Sequence, residues 1–166
     1  MRLHSRLRIS PASLQEGHRQ TNARRLHQKE EVEIVREKCR GEELNGNKVG
    51  IIGLGRVGFQ VANYCKTFGA KIYWYDKADV LYDPSWIKLN SILEVIEKSR
   101  IIVLCADYKN NQLPIIGKNE IKNLKNKYFV NSSRGELVDE ELLLEHATTN
   151  KMQGIALDVI KNENSN

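Results

Sequence analysis

Strand-like and helix-like patterns alternate along the chain from Lys48 onward. Five short segments are almost continuously apolar, as buried strands are: KVGIIGL, AKIYWYD, RIIVLCA, KYFVNSS and MQGIALDV. Four segments between them have helical spacing or composition: RVGFQVANYCKTF, SILEVIEKS, NEIKNLK and DEELLLEHATTN. This alternation is typical of a parallel sheet that is covered on both faces. The sequence therefore predicts an α/β fold, a doubly wound parallel sheet with helices on both faces.

Two of the predicted helices carry local signals. In RVGFQVANYCKTF, apolar side chains recur at the spacing of one helix face, which predicts an amphipathic helix; they are Val57, Val61, Tyr64 and Phe68. Asp139 opens the segment DEELLLEHATTN and is predicted to be the N-cap of that helix, because its carboxylate can accept a hydrogen bond from a free N–H group of the first turn.

The first part of the chain differs in composition and charge from the rest. Residues 1–28 are polar without periodicity and are predicted to be irregular, 29–45 to form a short helix and a connector, and 46–166 to form the folded domain. Residues 1–29 contain seven Lys/Arg and one acidic residue, a charge of +6, whereas the remainder contains nineteen basic and twenty acidic residues, a charge of −1. Nucleic-acid-binding folds carry basic charge on the folded surface, so no nucleic-acid partner is expected.

Three features bear on the compartment. No apolar run is long enough to span a membrane, and no membrane partner is expected. Cys39, Cys65 and Cys105 form neither a disulfide pattern nor a metal pattern, which favours a reducing compartment. The start, MRLHSRLRISPASLQ, has some features of a mitochondrial transit peptide, but a disordered or out-of-context start is the favoured interpretation. We therefore expect a cytoplasmic protein without a metal site, with a mitochondrial location as the alternative.

The glycine pattern Gly53-x-Gly55-x-x-Gly58 follows the first strand and opens a helix. Gly53 permits a tight turn, Gly55 lets a pyrophosphate approach the backbone, and Gly58 lets helix and strand lie close together. Asp76 ends the next strand, 18 residues after Gly58, where a carboxylate binds a ribose diol and repels a 2′-phosphate. The pattern predicts binding of NAD in preference to NADP. The alternative, a turn that only connects strand to helix, is disfavoured because strand, helix, second strand and carboxylate are all in place.

Several motifs in order resemble the D-isomer-specific 2-hydroxyacid dehydrogenases. They are GEELNGNKVGIIGLGRVG, YWYD, NSSRGELVDEELL and GIALDV, from about Gly41 to Glu163. The resemblance implies a Rossmann-type NAD domain, which in this family is inserted into a substrate domain and commonly forms a homodimer. It covers the NAD domain only, at 46–166, and the substrate domain is expected to be absent from this chain.

The resemblance also implies which residues contact NAD. Arg56 and Val57, within the turn, would touch the pyrophosphate, and Asp76 the ribose. The turn after the fourth strand, which packs against the cofactor and usually contains a proline, corresponds to Cys105, Ala106, Asp107 and Gln112, with Asp107 in the place of the proline.

The motif NSSRG and the last strand supply the remaining implied roles. Ser132 and Ser133 would lie beside the nicotinamide, Arg134 would bind the substrate carboxylate, and Asp158 would hold the nicotinamide amide. Glu163 corresponds to the acid that supports the catalytic histidine. Each has a plainer alternative: a loop arginine for Arg134, a strand-end cap for Asp158 and a solvated charge for Glu163.

The resemblance implies hydride transfer between NAD and C2 of a 2-hydroxy or 2-keto acid. This reaction needs a cation for the carboxylate, an acid/base for the hydroxyl proton and a carboxylate to orient that acid/base. Arg134 and Glu163 are the candidates for the first and third roles. The family's histidine is expected further along than Glu163. The four histidines lie elsewhere, in the basic segment or within a helix: His4, His18, His27 and His146. We therefore expect the chain to be catalytically incomplete.

Three functions remain open at this stage. The chain can be the cofactor domain of a D-2-hydroxyacid dehydrogenase, as a truncated chain, an excised domain or a split gene product. It can be a non-catalytic, NAD-responsive binding and dimerisation module, like the corepressors related to this family, with the basic segment as an interaction arm. It can also be a decayed fragment.

Overall fold

A computed structural model of the protein describes residues 41–109, 112–149 and 152–161. The irregular segment predicted at 1–28 and the short helix predicted at 29–40 lie outside these residues. The described strands are β1 (Lys48–Ile52), β2 (Lys71–Tyr75), β3 (Ile87–Lys88), β4 (Ile101–Leu104), β5 (Tyr128–Asn131) and β6 (Gly154–Leu157). The described α-helices are α1 (Arg56–Thr67), α2 (Ile92–Lys98), α3 (Lys118–Ile121) and α4 (Glu140–Thr149), and a 3₁₀ turn spans Gly135–Leu137.

The six strands form one parallel sheet in the order β3-β2-β1-β4-β5-β6. At the carboxyl end of β1, Ile52 lies between Tyr75 of β2 and Leu104 of β4. The chain winds outward from β1 in one direction and then from β4 in the other, so the direction of winding reverses between these two central strands. In open α/β sheets, the crevice at such a reversal, outside the carboxyl ends of the strands, is where ligands bind.

Helices cover both faces of the sheet. On one face α1 packs against β1, where Gly58 lies over Ile51. On the other face α2 packs against β1, where Val95 lies over Gly50. The main core is on the second face and joins alternate strand residues to side chains from α2, α3 and α4; it includes Ile52, Leu104, Phe129, Ile96, Ile121 and Leu143. The predicted doubly wound α/β fold is confirmed.

The apolar row of α1 is more exposed than its spacing suggested. Val57, Tyr64 and Phe68 are 57%, 62% and 41% exposed, whereas Gly58 and Ala62 are buried against the sheet. Small side chains face inward because the first turn of α1 lies so close to β1 that a Cβ atom on Gly58 would be 2.0 Å from the carbonyl oxygen of Gly53. The periodicity identified a shared face but did not show that this face is left outside the core.

Other differences lie at element ends. Gly53 has φ +89°, so β1 ends at Ile52 and not within the predicted KVGIIGL. The two-residue strand β3 was not predicted, because it is too short to show a period. Asp139 does cap α4, since its Oδ1 accepts a hydrogen bond from the N–H of Leu142 over 3.3 Å. Within the described ranges, no helix combines the length and the apolar character that a membrane crossing requires.

Candidate functional site

Residues that follow five neighbouring strands meet at the carboxyl edge of the sheet. From β2 through β1, β4 and β5 to β6, the segments after the strands begin at Asp76, Gly53, Cys105, Ser132 and Asp158. Because adjacent strands lie about 4.8 Å apart, this row spans roughly 19 Å. The structure thus brings together side chains that are more than 100 positions apart in the sequence.

The glycine turn is held tightly against its surroundings at two positions. The N–H of Gly53 donates to the carbonyl oxygen of Tyr75 over 2.9 Å. A Cβ atom on Gly53 would be 2.5 Å from Cα of Ala106, and one on Gly58 would meet the carbonyl oxygen of Gly53. Both glycines are therefore required by the packing of the protein itself.

Gly55 is different, because a Cβ atom there would meet no protein atom within 4 Å. Its φ is −71°, a value that any residue adopts, so neither the packing nor the backbone demands a glycine. Gly55 is the N-cap of α1, and the first turn of this helix contains no acidic residue. Its N–H groups point out of the helix end, where a partial positive charge favours an anion. The exposed residues Arg56 and Val57 border the same opening.

Asp76 joins the glycine turn to the end of β2. Its Oδ2 accepts a hydrogen bond from the N–H of Leu54 over 2.7 Å, and its Oδ1 accepts one from the N–H of Ala78 over 2.8 Å. The side chain is half-buried. These two bonds fix the carboxylate beside the opening above Gly55, and they leave lone pairs on both oxygens for a further donor.

The end of β4 packs against the glycine turn through Cys105 and Ala106. Cys105 donates its N–H to the carbonyl oxygen of Ile52 over 2.8 Å, and its Sγ lies 3.5 Å from Oγ of Ser132. Burial raises the pKa of the Cys105 thiol, and the smaller effect of the Ser132 hydrogen bond is in the opposite direction. The thiol is therefore a neutral, weakly polar group in the crevice between β1 and β4.

The next two predicted residues, Asp107 and Gln112, belong to the loop that leaves this edge. Asp107 is exposed. Gln112 is half-buried and turns back on the loop, since its Oε1 accepts a hydrogen bond from the N–H of Lys109 over 3.3 Å. The structure gives neither side chain a contact with the glycine turn.

The loop after β5 is organised by Asn131, which the sequence reasoning did not select. Asn131 is fully buried; its Oδ1 accepts a hydrogen bond from the N–H of Ser133 over 3.0 Å, and its Nδ2 donates to the carbonyl oxygen of Arg134 over 3.1 Å. The hydroxyls of Ser132 and Ser133 both donate to the carbonyl oxygen of Leu104, each over 3.1 Å. A polar residue at the end of an apolar strand was the available signal for Asn131.

Arg134 is exposed at the edge. One Nη1–H donates to the carbonyl oxygen of Ser133 over 2.8 Å, which holds the side chain near its own loop. The guanidinium has five N–H donors in a planar fork, so donors remain for a carboxylate. Gly135 follows it in the buried 3₁₀ turn.

The segment that leaves β6 lies directly against this turn. The N–H of Asp158 donates to the carbonyl oxygen of Asn131 over 3.0 Å, and the Asp158 side chain is exposed. A Cβ atom on Gly135 would be 2.2 Å from the backbone nitrogen of Lys161. That nitrogen donates to Oε1 of Glu140 over 2.8 Å, a contact that the sequence reasoning also missed. Glu163 lies outside the described residues.

His146 is the one histidine within the described ranges. It lies in the second turn of α4, which begins at Glu140. At a rise of about 1.5 Å per residue, His146 is roughly 9 Å along the helix from its start.

The sequence matches, over residues 12–166, the family described as D-isomer specific 2-hydroxyacid dehydrogenase, NAD binding domain. The matched range includes every described residue. The resemblance that the motifs suggested is confirmed.

Individual relatives have similar descriptions. The chain is 35% identical over 136 residues to a D-3-phosphoglycerate dehydrogenase from Methanocaldococcus jannaschii, covering 77% of this chain and 25% of that protein. It is 35% identical over 120 residues to an aromatic 2-oxoacid reductase from Clostridium sporogenes, covering 71% of this chain and 36% of that protein. A solved D-isomer specific 2-hydroxyacid dehydrogenase from Lactobacillus delbrueckii ssp. bulgaricus, in its NAD-complexed form, has a TM-score of 0.71 at 28% identity, covering 78% of this chain and 39% of that one. The chain thus spans 25% to 39% of the length of these relatives.

Proposed function

Since the chain belongs to the D-isomer-specific 2-hydroxyacid dehydrogenase family, as its NAD-binding domain, we propose that its sheet edge binds NAD for hydride transfer to or from a 2-hydroxy or 2-keto acid. The chain would then be the cofactor half of an oxidoreductase. The relatives named above are described as enzymes, and nothing in them favours the corepressor-like module or the decayed fragment.

The observation that carries this proposal is the opening above Gly55. Packing explains the glycines at 53 and 58 but does not explain this one. A glycine at this position leaves room for a ligand to lie against the backbone. The unpaired N–H groups at the helix end favour a ligand with negative charge. A pyrophosphate has this charge, so the residues present fit a dinucleotide.

The order of residues along the edge fits the parts of NAD. Asp76, beside the turn on β2, would accept hydrogen bonds from the adenosine ribose diol. Gly55, Arg56 and Val57 would surround the pyrophosphate. The ends of β5 and β6 would then face the nicotinamide, with Ser132 and Ser133 directly after β5 and Asp158 directly after β6.

The same arrangement favours NAD over NADP. A 2′-phosphate would meet the Asp76 carboxylate, which two backbone N–H groups hold in place at 2.7 and 2.8 Å. Repulsion between these negative charges would weaken the binding of NADP. Lys77 is exposed beside it, and we expect it to reduce this preference only slightly.

When bound, the nicotinamide would supply the hydride acceptor in its oxidised form and the hydride donor in its reduced form. The contribution of this chain is then to hold the substrate with its C2 atom facing the nicotinamide. Arg134 would bind the carboxylate through its planar fork, because its guanidinium retains donors beyond the one bonded to Ser133. Cys105 and Ala106 would exclude water from the crevice, since they fill the space between the glycine turn and β5.

Proton transfer is not assigned to any described residue. His146 lies more than one helix turn from the start of α4, and general acid/base catalysis requires hydrogen-bond reach of the substrate hydroxyl. We propose that this chain alone has no substantial turnover with D-lactate, glyoxylate or hydroxypyruvate. Ordinary turnover numbers from the purified chain would contradict this.

We also propose that the chain forms a homodimer, as members of this family commonly do. The exposed apolar side chains of Tyr64 and Phe68, at the far end of α1 from the glycine turn, support the proposal, because a second copy would cover surface that is otherwise left in water. Cytoplasmic location stays a prediction.

The proposed function can be tested by calorimetric titration of the purified chain with NADH and with NADPH. We expect saturable binding of NADH and at least tenfold weaker binding of NADPH. Gly55→Val should abolish NADH binding while leaving the fold intact, because its Cβ has open space and its φ is ordinary. Gly117→Ala is the matched control, since a Cβ there also makes only an ordinary contact. A folded wild-type chain that binds neither nucleotide would refute the proposal.

A further inference from the structure

Glu140 is the first residue of α4, and it reaches the chain that leaves β6, which is 21 positions further along the sequence. Its Oε1 accepts a hydrogen bond from the N–H of Lys161 over 2.8 Å. The neighbouring Asp139 already caps the helix through the N–H of Leu142. The Glu140 carboxylate is therefore not needed as the cap and is available for this longer-range bond.

The segment from Asp158 to Lys161 is fixed at both ends. At its start, the N–H of Asp158 continues the sheet by donating to the carbonyl oxygen of Asn131 over 3.0 Å. At its end, Glu140 holds the N–H of Lys161, and Gly135 leaves room for the backbone to lie flat on the 3₁₀ turn. The Glu140 bond thus joins this segment directly to the first residue of α4.

We infer that Glu140 is a positioning residue for the nicotinamide side of the site. It holds the segment after β6 against the turn that follows Arg134, and so it sets where the exposed Asp158 carboxylate stands. Glu140 need not touch the cofactor for this. The inference rests on the proposed function, in which Asp158 binds the nicotinamide amide.

The effect of Glu140 on the nicotinamide end can be distinguished from an effect on the adenosine end, because the two ends bind at different strands. Asp76 and Gly55 follow β2 and β1, whereas Asp158 follows β6 at the other side of the sheet. A change in the segment after β6 should alter contacts with the nicotinamide and leave contacts with adenosine, ribose and pyrophosphate unchanged. ADP-ribose contains these latter groups without the nicotinamide, so it is the discriminating probe.

The experiment measures the Kd values of NADH and ADP-ribose for the full chain and four variants. For Glu140→Ala we expect NADH binding to weaken about fivefold to tenfold, the effect of one solvent-exposed hydrogen bond, with ADP-ribose binding within twofold of wild type. Glu140→Gln should restore NADH binding, because its amide oxygen can accept the same bond. Gly135→Ala should reproduce the selective loss by displacing Lys161. Glu141→Ala, exposed and adjacent, removes an equal charge without that bond and should have no effect.

Thermal unfolding of each variant accompanies the titrations, so that a general loss of structure is recognised. The inference is overturned if Glu140→Ala binds NADH as wild type does, if it loses NADH and ADP-ribose by the same factor, or if wild type binds the two ligands equally. Wild type that binds neither ligand overturns the proposed function, which is a different result from any of these.

Discussion

The N–H of Leu54 donates to Oδ2 of Asp76 over 2.7 Å, which ties the glycine turn after β1 to the end of β2. One carboxylate therefore has two tasks. It holds the turn in shape from the protein side, and in the proposed function it faces the ribose from the other. Substitution of Asp76 should affect both the shape of the turn and the choice of nucleotide.

For Asp76→Ala we expect the Kd of NADH to rise about 10- to 100-fold. The ribose would lose its hydrogen bond to the carboxylate, and one hydrogen bond to a charged group contributes about 1.5–3 kcal/mol. The ratio of NADPH to NADH affinity should rise, since the repulsion of the 2′-phosphate disappears. Calorimetry with both nucleotides measures this. Asp79→Ala is the control, because Asp79 is exposed and only meets Lys88 at 3.5 Å. Equal losses in the two variants would contradict the role of Asp76.

The glycines of the turn should separate into a structural class and a ligand class. Gly53→Ala should lower the free energy of unfolding by about 2–4 kcal/mol, because φ is +89° and the new Cβ would press on Ala106. Gly55→Ala should lower it by no more than about 1 kcal/mol, the cost of an alanine at the N-cap of a helix. Urea unfolding of both variants decides the matter, and similar losses at both positions would show that the opening above Gly55 is not free.

Asn131→Ala should destabilise the loop that carries Arg134. The substitution leaves the N–H of Ser133 and the carbonyl oxygen of Arg134 without their partner in a buried place, which costs about 2–4 kcal/mol in the free energy of unfolding. Asn123→Ala is the control: its side chain donates to the carbonyl oxygen of Asn119 over 2.8 Å in a more exposed place. If urea unfolding gave the same loss of free energy for both variants, the hydrogen bonds of Asn131 would not stabilise the loop more than an exposed hydrogen bond does.

The Cys105 thiol gives the protein a dependence on alkaline pH. Because burial raises the pKa of this thiol in the folded state above its ordinary value of 9.0, the folded state retains the proton longer than the unfolded state does. The resulting stability is fully present below pH 9 and is lost as the pH rises through the folded-state pKa. Above pH 9, the free energy of unfolding of wild type in urea should therefore fall relative to that of Cys105→Ala. A relative rise above pH 9 would contradict a raised thiol pKa in the folded state.

The exposed row of α1 should carry the dimer contact. Tyr64→Glu combined with Phe68→Glu should convert the dimer into a folded monomer, because each copy would bury two charges without partners at the interface. Analytical sedimentation measures the change in mass. Asn63→Glu adds a charge to an exposed position of the same helix and should leave the dimer intact. A wild-type chain that sediments as a monomer at micromolar concentration would contradict the homodimer.

The parts of the fold and site that could be predicted are those with a local signature. The glycine turn and Asp76 follow from spacing within one β-α-β unit, and the alternation of strands and helices follows from periodicity. Asn131 and Glu140 act through contacts that only the folded chain defines, and Glu140 reaches across 21 residues. The glycine spacing correctly predicted that Gly58 lies against the strand, but the hydrophobic spacing of α1 did not show that Val57, Tyr64 and Phe68 are exposed. Glu163 stays a prediction.

The carbonyl oxygen of Leu104 receives the hydroxyl hydrogens of both Ser132 and Ser133. Each hydroxyl has one hydrogen to give, and in this arrangement that hydrogen is used within the protein. Sγ of Cys105 lies 3.5 Å from Oγ of Ser132 and can supply its own hydrogen to that oxygen. Ser133 is buried, so Ser132 is the serine that can meet a ligand, and in the proposed function it would accept a hydrogen bond there. Beside it, the guanidinium of Arg134 can only donate. In the proposed function, this part of the edge would therefore favour a molecule that turns an N–H or O–H group toward Ser132 and an anionic oxygen toward Arg134.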